Sequence, residues 1–265
     1  MSAPGSQTPR AFLQSLFQAT LDAAMPGLSL PGRLPSVPNK GRTIAVGAGK
    51  AAGAMAKAVE DNWDGPLEGL VVTRDGHGAD CRHIEVIEAA HPVPDARGRE
   101  AARRIYEAVQ GLSEDDLVLC LISGGGSALL TMPGEGISLD EKQAINRALL
   151  KSGAPIDEMN TVRKHLSAIK GGRLAAAAYP AQVVTYAISD VPGDDPSVIA
   201  SGPTVGDATS AADAREILER YRIEIPPSVD TFLNSPAAET PGLDDDRLKH
   251  CGLELIAPPH MALDA

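Results

Sequence analysis

Three consecutive glycines flanked by serines stand directly after an apolar run at residues 117–122. The segment comprises Ser123, Gly124, Gly125, Gly126 and Ser127. Glycine backbones let N–H groups approach a ligand without a Cβ in the way, and a helix that starts there adds partial positive charge. The serines add hydroxyl donors, so the segment suits a phosphate or another small anion. A tight strand-to-helix turn without a ligand is the alternative, although one glycine would be enough for a turn.

A lysine follows a second glycine-rich junction, where the apolar residues 44–46 lead into Gly47, Gly49 and Lys50. A lysine at a helix N-terminus is electrostatically disfavoured unless an anion lies nearby, so Lys50 is a candidate for contact with a phosphate. The alternative is a side chain that extends into solvent. Gly47, Gly49 and Ala52 also fit the loose G-x-G-x-x-(G/A) dinucleotide pattern, but no clear acidic residue follows about 20 positions on.

An acidic loop follows the strand predicted at residues 182–188, and it contains Asp190, Asp194 and Asp195. Mg²⁺ prefers one or two carboxylates together with phosphate oxygens of a substrate, so the loop predicts a metal site. Asp190, nearest to the strand end, is the first candidate ligand, and Asp194 is the second. The alternative is a turn in which the Asp side chains cap nearby N–H groups.

A basic segment and one histidine complete the candidate residues. Residues 160–175 place four cations in an otherwise acidic chain: Arg163, Lys164, Lys170 and Arg173. Arg163 and Lys170 are the candidates for neutralising a phosphate or carboxylate, and a helix face paired with local acids is the alternative. His91 stands in a rigid Pro-containing segment and is a candidate for substrate contact, with a local hydrogen bond as the alternative.

Strand and helix patterns alternate along the chain, and this alternation predicts how the candidate residues are positioned. Apolar runs predict strands at residues 42–47, 69–73, 84–89, 117–122, 182–188 and 253–256. Helical spacing predicts helices at residues 9–25, with the apolar face on the body of the protein, and at 51–62, 95–110, 138–152, 156–178 in two pieces, 211–221 and 227–233. The order predicts an α/β, Rossmann-like parallel sheet with helices on both faces. Ligands bind such sheets at the carboxyl ends of the strands, where the glycine segments fall.

Composition and charge narrow the range of partners. The chain of 265 residues has a net charge of −11 and 3% aromatic residues, so we expect no nucleic-acid partner. The three cysteines are scattered, which fits a reducing compartment and gives no metal-binding spacing. No run of about 18 apolar residues and no signal pattern occurs, so we expect no membrane partner and a cytoplasmic location. Among oligomeric states, we consider a homodimer as a candidate.

The last residues continue the alternating pattern. A strand at residues 253–256 precedes what resembles the beginning of a helix at 259–265. We therefore expect a fragment of a longer protein, or a chain that ends where a second lobe begins. The predicted division is an N-terminal helix with a Pro-rich connector at 1–40, a Rossmann-like domain at 41–250, and the start of a connection to another domain at 251–265.

Six stretches, in this order, resemble the class II glycerate 2-kinase family. They are VGAGKAAGAM (46–55), GLVVTRDGHG (69–78), HPVPD (91–95), SGGGSALL (123–130), NTVRKHLSAIKGGRLA (160–175) and SDVPGDDPSVIASGPTVGD (189–207). The resemblance implies the N-terminal domain of a two-domain α/β enzyme whose active site lies between the domains. It also implies transfer of the ATP γ-phosphate to the 2-hydroxyl of D-glycerate with Mg²⁺. Lys50 matches the family's catalytic lysine, and the resemblance implies a partner arginine in a C-terminal domain that we expect to lie outside these 265 residues.

The residues support the same chemistry, because phosphoryl transfer needs N–H donors, cations and a metal-binding carboxylate. We expect Lys50 to stabilise the transferring phosphoryl group or the glycerate, while residues 123–127 hold an anionic group. An NAD(P)-dependent hydroxypyruvate reductase is the first alternative, based on the dinucleotide pattern and on a label common in the family. A non-catalytic ligand-binding domain is the second. Which loop binds nucleotide and which binds glycerate is open at this point.

Overall fold

The computed structural model describes residues 8–257, apart from the side chain of residue 23. Six strands form one parallel sheet in the order β3-β2-β1-β4-β5-β6. Their bounds are Thr43–Ala48 (β1), Glu68–Arg74 (β2), Ile84–Ala89 (β3), Leu117–Ser123 (β4), Gln182–Ile188 (β5) and Cys251–Leu255 (β6). This is the strand order of a Rossmann fold, so the predicted α/β class with a parallel sheet is confirmed.

Helices cover the sheet or lie beside it. Within the described residues they are Pro9–Ala24 (α1), Pro26–Ser29 (α2), Ala52–Asn62 (α3), Ala96–Ala108 (α4), Gly126–Leu129 (α5), Leu139–Ser152 (α6), Ile156–His165 (α7), Arg173–Ala178 (α8), Ala211–Arg220 (α9) and Pro227–Leu233 (α10). Local sequence explains two of the starts. Asp95 Oδ1 accepts the Gly98 N–H at 2.9 Å before α4, and Ser138 with Glu141 forms a capping box before α6.

The central strands face two separate hydrophobic cores. Val46 and Cys120 lie in the core that includes α4 and α8, whereas Leu119 and Leu121 lie in the core that includes α3. Strands β1 and β4 are buried along their whole length. This is expected for parallel strands covered on both faces, and it leaves the strand ends as the place where polar side chains can gather.

A third hydrophobic core lies among the helices α6, α7, α9 and α10. Leu149, Val162, Leu218 and Val229 contribute one fully or almost fully buried side chain from each of these helices. This helical layer anchors α7, which carries Arg163 near its C-terminal end. The layer therefore sets where the predicted basic segment lies relative to the sheet.

Helix α1 directs its apolar side chains toward solvent. Phe12, Leu13, Leu16 and Phe17 are between 47% and 64% exposed, and the main contact of the helix is with the short helix α2. The helix itself is confirmed, but the prediction that its apolar face packs on the body of the protein is wrong for these side chains. Periodicity identifies an apolar face without identifying the surface that covers it.

Strand β6 forms one edge of the sheet by pairing in parallel with β5. The predicted boundary at residue 250 therefore falls directly before a strand of the same sheet. The helix predicted from residue 259 lies outside the described residues. In the described part of the chain, no helix has the length and apolar character needed to cross a membrane.

Candidate functional site

The strand order reverses between β1 and β4, and the predicted loops meet at this point. In open α/β sheets such a reversal leaves a crevice outside the carboxyl ends of the strands. The loops after β1, β4 and β5 all start at this edge, because the three strands are parallel neighbours. The fold therefore brings Lys50, the glycine segment at 123–127 and Asp190 to one edge of the sheet.

Gly47 near the end of β1 and Gly49 in the loop after it allow this part of the chain to pack directly on the end of β4. A Cβ on Gly47 would lie 2.1 Å from the Leu121 carbonyl oxygen, and a Cβ on Gly49 would lie 2.1 Å from Ser123 Oγ. Both distances are far inside van der Waals contact, so a side chain at either position would push this part of the chain away from β4. These two glycines therefore permit a close approach of β1 and its loop to the end of β4.

The N–H groups of this first loop are already bonded within the protein. The bonds run from Gly49 N–H to Val72 O (3.1 Å), from Lys50 N–H to Gly124 O (2.8 Å) and from Ala51 N–H to Ser123 Oγ (3.0 Å). A phosphate bound here would have to displace these acceptors. The geometry therefore argues against the predicted phosphate-binding role of Gly49, because its N–H is bonded to a protein acceptor. Gly47 lies inside β1, and its role stays a prediction. Ser123 uses its hydroxyl oxygen to accept the Ala51 N–H, which holds the loop after β1 against the end of β4.

The loop after β4 keeps its donors available. Among residues 8–257, no acceptor is in hydrogen-bonding geometry with the N–H groups of Gly124, Gly125, Gly126 or Ser127. Gly125 has a left-handed backbone with φ of +83°, and successive N–H groups around such a residue form a concave donor site for an anion. The helix that follows, α5, has only four residues, so the predicted helix dipole adds little and the site depends on the loop itself.

Lys50 lies at the edge of this donor site. Its Nζ is 3.8 Å from Asp190 Oδ2, and both side chains are about half exposed. A Cβ on Gly125 would lie 3.2 Å from Lys50 Cε and 2.9 Å from His91 Nε2. A Cβ on Gly124 would lie 2.1 Å from Asp190 Oδ2. The side chains of Lys50, His91 and Asp190 thus lie around the glycine segment.

His91 is partly exposed beside Gly125. Burial lowers the pKa of its imidazole, the cations Lys50 and Arg74 lower it further, and Asp190 acts in the opposite direction. The ring is therefore neutral near pH 7, and it can donate one hydrogen bond and accept one. A neutral ring leaves the positive charge near His91 to the side chains of Lys50 and Arg74.

The loop after β5 contains a carboxylate oxygen without a partner. Asp194 Oδ1 is buried and has no hydrogen-bond partner within residues 8–257, and the Asp194 backbone is left-handed with φ of +54°. Asp195 instead caps the loop, because its Oδ1 accepts the Ser197 N–H at 2.8 Å. Residues 8–257 contain no group of three His, Cys, Asp or Glu side chains arranged to hold a metal ion. A magnesium ion here would therefore take most of its ligands from a substrate and from water.

A left-handed turn, which the sequence analysis did not single out, packs against the glycine segment. Ala200, Ser201 and Gly202 have φ values of +52°, +61° and +57°. For non-glycine residues this conformation costs about 1–2 kcal/mol each, so surrounding contacts must hold it. Gly171 and Gly172 supply such contacts by donating their N–H groups to the carbonyls of Ser201 and Gly202, at 3.1 and 2.8 Å. A Ser-Gly-Pro sequence predicts a turn, but not a left-handed alanine and serine.

This turn links the glycine segment to the predicted cations Arg163 and Lys170. Ser127 Oγ lies 2.8 Å from Ser201 Oγ, and Lys170 Nζ lies 3.5 Å from the Ala200 carbonyl oxygen. Lys170 is 1% exposed, and burial, followed by the charge of Arg163, lowers its pKa to about 7. Burial also lowers the pKa of Arg163. An exposed, ion-paired helix face, the alternative for this segment, is therefore wrong for these two residues.

The other two cations of the basic segment serve the packing of the helical layer. Lys164 Nζ pairs with Asp207 Oδ1 at 2.7 Å in a buried position. Burial acts to raise the pKa of Asp207, but hydrogen bonds from the adjacent histidine and from Lys164 hold it well below its ordinary value. Arg173 donates to the carbonyls of Ala237 and Glu239 at 2.8 and 3.0 Å. Both cations are thus occupied by protein acceptors.

A cavity of about 340 Å³ lies elsewhere and is lined in part by Tyr106, Arg173, Phe232 and Arg247. Its two guanidinium groups have partners, since Arg173 binds carbonyl oxygens and Arg247 pairs with Asp245. The glycine segment combines a row of N–H groups without acceptors in the described chain with the half-exposed Lys50. The switch point is therefore the better candidate for a functional site.

Comparisons with known proteins identify relatives along most of the chain. A family model described as a domain of unknown function, DUF4147, matches residues 12–234. A protein of Agrobacterium vitis named "Putative hydroxypyruvate reductase" is 52% identical over 257 residues, which are 97% of this chain and 58% of that protein. A "D-glycerate 2-kinase" of Thermotoga maritima is 46% identical over 216 residues, which are 81% of this chain and 52% of that protein.

A solved structure has the same fold. The crystal structure of glycerate kinase from Thermotoga maritima matches with a TM-score of 0.86 and 41% identity, over 97% of this chain and 61% of that one. The chain thus spans little more than half the length of these relatives. By these matches the chain belongs to the DUF4147 family, which is the class II glycerate 2-kinase family that its motifs resemble.

Proposed function

We propose that this chain forms one wall of the active site of a glycerate 2-kinase, which transfers the γ-phosphoryl group of ATP to the 2-hydroxyl of D-glycerate. One observation carries the proposal. Four successive N–H groups, from Gly124 to Ser127, have no acceptor in the described chain and stand beside Lys50 at the switch point of the sheet. The name of the Thermotoga relative, a D-glycerate 2-kinase, supports the same reaction.

The arrangement suits the charge changes of phosphoryl transfer. Such transfer depends mainly on positioning and on stabilising charge that spreads over phosphoryl oxygens. The N–H groups of the glycine segment supply directional donors. Lys50 supplies a compact positive charge with three hydrogen atoms, and Asp190 at 3.8 Å occupies only one direction around it.

Asp190 and Asp194 are the residues that would hold Mg²⁺. The orphaned Asp194 Oδ1 and the half-exposed Asp190 carboxylate offer the hard oxygen ligands that this ion prefers. When bound, Mg²⁺ neutralises charge on the phosphates. A cytoplasmic location and a homodimer stay predictions from the sequence.

A hydroxypyruvate reductase is the second candidate, because the Agrobacterium relative bears that name and residues 47–52 fit the dinucleotide pattern. A dinucleotide loop must offer its N–H groups to a pyrophosphate. Here the N–H groups of Gly49, Lys50 and Ala51 are bonded to protein acceptors. This difference between the two loops favours the kinase.

The test is a pair of assays on the full-length gene product: ATP, Mg²⁺ and D-glycerate in one, and NADH with hydroxypyruvate in the other. We expect phosphorylation and no NADH oxidation. Lys50→Met should lower kcat by roughly two to three orders of magnitude, the usual effect of removing a group that stabilises the transition state. Lys50→Arg should retain part of the rate, since it keeps the charge but changes its geometry.

Lys57→Met is the matched control. Lys57 lies on α3, the helix that follows the Lys50 loop. Its side chain pairs with Asp61, away from the glycine segment. Its rate should match the wild type. All variants should unfold at the same temperature, because the Lys50 side chain is about half exposed. An unchanged rate in Lys50→Met would contradict its role, and NADH oxidation by the wild type would favour the reductase.

A further inference from the structure

The hydroxyl of Ser127 belongs to a chain of hydrogen bonds that runs away from the glycine segment. Ser127 Oγ is 2.8 Å from Ser201 Oγ, and Ser201 Oγ is 3.3 Å from Asn160 Oδ1. Asn160 Oδ1 is in turn 3.3 Å from Arg163 Nη1. Ser201 is fully buried, whereas Ser127 is partly exposed at the site. The two hydroxyls could in principle donate to one another in either direction.

Arg163 decides the direction. Its guanidinium carries donors only, so the Asn160 atom that faces it must be the amide oxygen and not the NH₂ group. That oxygen can only accept, and Ser201 must therefore donate its single hydrogen to Asn160. Ser201 then has only lone pairs for Ser127, and Ser127 must donate its own hydrogen to Ser201.

Ser127 is therefore an acceptor toward any ligand, although its position in the glycine segment predicted a hydroxyl donor. A phosphate oxygen is also an acceptor and would be repelled by these lone pairs. An alcohol offers the hydrogen that they need. We propose that Ser127 Oγ accepts a hydrogen bond from a hydroxyl group of the small hydroxy-acid substrate, while the N–H groups of the same segment hold an anion; the identity of that substrate rests on the proposed function.

This contact selects and orients the substrate but does not deprotonate it. The hydrogen-bond chain ends at a guanidinium, which accepts no proton at ordinary pH, so no proton can leave the substrate along it. A site that accepts from a substrate hydroxyl discriminates against analogues without one, because its acceptor is then left unpaired. Ser127 is thus a specificity residue for hydroxylated acids.

The test compares the binding of D-glycerate and ADP to wild type and Ser127→Ala by calorimetry. We expect glycerate to bind roughly three- to tenfold more weakly to the variant, the range for losing one neutral hydrogen bond, with ADP affinity unchanged. Weaker ADP binding with unchanged glycerate binding would overturn the proposal, since Ser127 would then donate to a phosphate. Retained ADP binding also reports that the variant is folded.

Analogues of glycerate with fluorine in place of one hydroxyl test the direction in the wild type itself. Fluorine cannot donate, so one of the two monofluoro analogues should bind more weakly than glycerate, and Ser127→Ala should remove that difference. Equal binding of glycerate and both analogues would overturn the proposal. These binding results are independent of turnover. Weaker glycerate binding in Ser127→Ala supports the contact even if the wild type transfers no phosphoryl group. Unchanged glycerate binding in a variant of an active kinase refutes the contact and leaves the proposed reaction intact.

Discussion

His91 is held as a neutral ring beside the glycine segment. Burial is the largest cause of its lowered pKa, and the cations Lys50 and Arg74 add to it. An anion bound to the N–H groups of residues 124–127 would oppose the two cations and favour the protonated ring. The titration of this one side chain therefore reports whether the site binds an anion.

We expect sulfate to raise the pKa of His91, as measured by NMR titration of its ring protons with and without the ion. Linkage then requires sulfate to bind more tightly as the pH falls from about 8 to about 5, through the range in which the histidine gains its proton. Sulfate keeps its charge over this range, so its own titration does not contribute. His91→Asn should bind sulfate with a weaker pH dependence. Equal pH dependence in both proteins would argue against an anion beside His91.

The two glycine loops, after β1 and after β4, have similar sequences but differ in how they pack and in what their N–H groups bind. The loop after β1 packs onto β4 and uses its N–H groups for that packing. The loop after β4 is instead supported from one side by the left-handed turn at residues 200–202. Gly126 lies against this turn, since a Cβ there would be 2.7 Å from Ala200 Cβ and 3.1 Å from Ala48 O.

This contact predicts a compensating pair of substitutions. Gly126→Ala should destabilise the protein by roughly 1–3 kcal/mol, because it overfills a packed position. Ala200→Gly should be close to neutral or slightly stabilising, because glycine adopts the left-handed backbone without penalty. The double variant should recover most of the loss, since the Cβ of Ala200 is the nearest obstacle. Urea unfolding of all four proteins gives the coupling energy, and additive effects would mean that the two elements are not in the contact described.

At the scale of the whole molecule, an acidic chain buries two lysine side chains. The net charge is −11, yet Lys142 and Lys170 are 6% and 1% exposed. Lys142 Nζ donates to the Leu166 carbonyl oxygen at 2.6 Å, and burial, with the neighbouring cations, places its pKa well below the ordinary value. Buried charges of this kind make the stability of the fold depend on pH.

Lys170 should make the protein more stable as the pH rises above neutrality. Its pKa is about 7 in the fold, whereas an unfolded lysine keeps its proton up to about pH 10.4. The unfolded chain binds more protons in this window, so the free energy of unfolding gains up to about 1.4 kcal/mol per pH unit from this residue. Lys170→Met should lose this gain. Its stability relative to the wild type should therefore be greatest at or below pH 7.

The measurement is urea unfolding of wild type and Lys170→Met at several values between about pH 7 and about pH 10. The difference between the two free energies of unfolding isolates Lys170 from other titrating groups. A constant difference across the window would mean that Lys170 keeps an ordinary pKa.

Local pattern was enough to predict much of the fold. Apolar runs such as residues 117–122 and 182–188 marked strands that the structure contains within one or two residues. Their alternation with helices predicted the parallel sheet, and parallel strands end at the same edge, so Lys50, the glycine segment and Asp190 were expected at one edge. The strand order in the structure makes β1, β4 and β5 neighbours. The family resemblance followed from the same loops.

The sequence by itself thus determined the α/β class, the strands and the loops that form the candidate site, because strand and turn preferences act over a few neighbouring residues. Only the tertiary structure decided that the N–H groups near Gly49 are occupied while those of Gly124–Ser127 lack acceptors in the described chain. It also decided that Lys170 is buried, that Arg163 is partly buried, and that α1 exposes its apolar face. Each of these depends on partners far away in sequence, such as Ser123 for Ala51 and Ser201 for Ser127. A hydrogen bond or a packed surface between distant segments exists only once the whole chain has folded, and no local pattern encodes it.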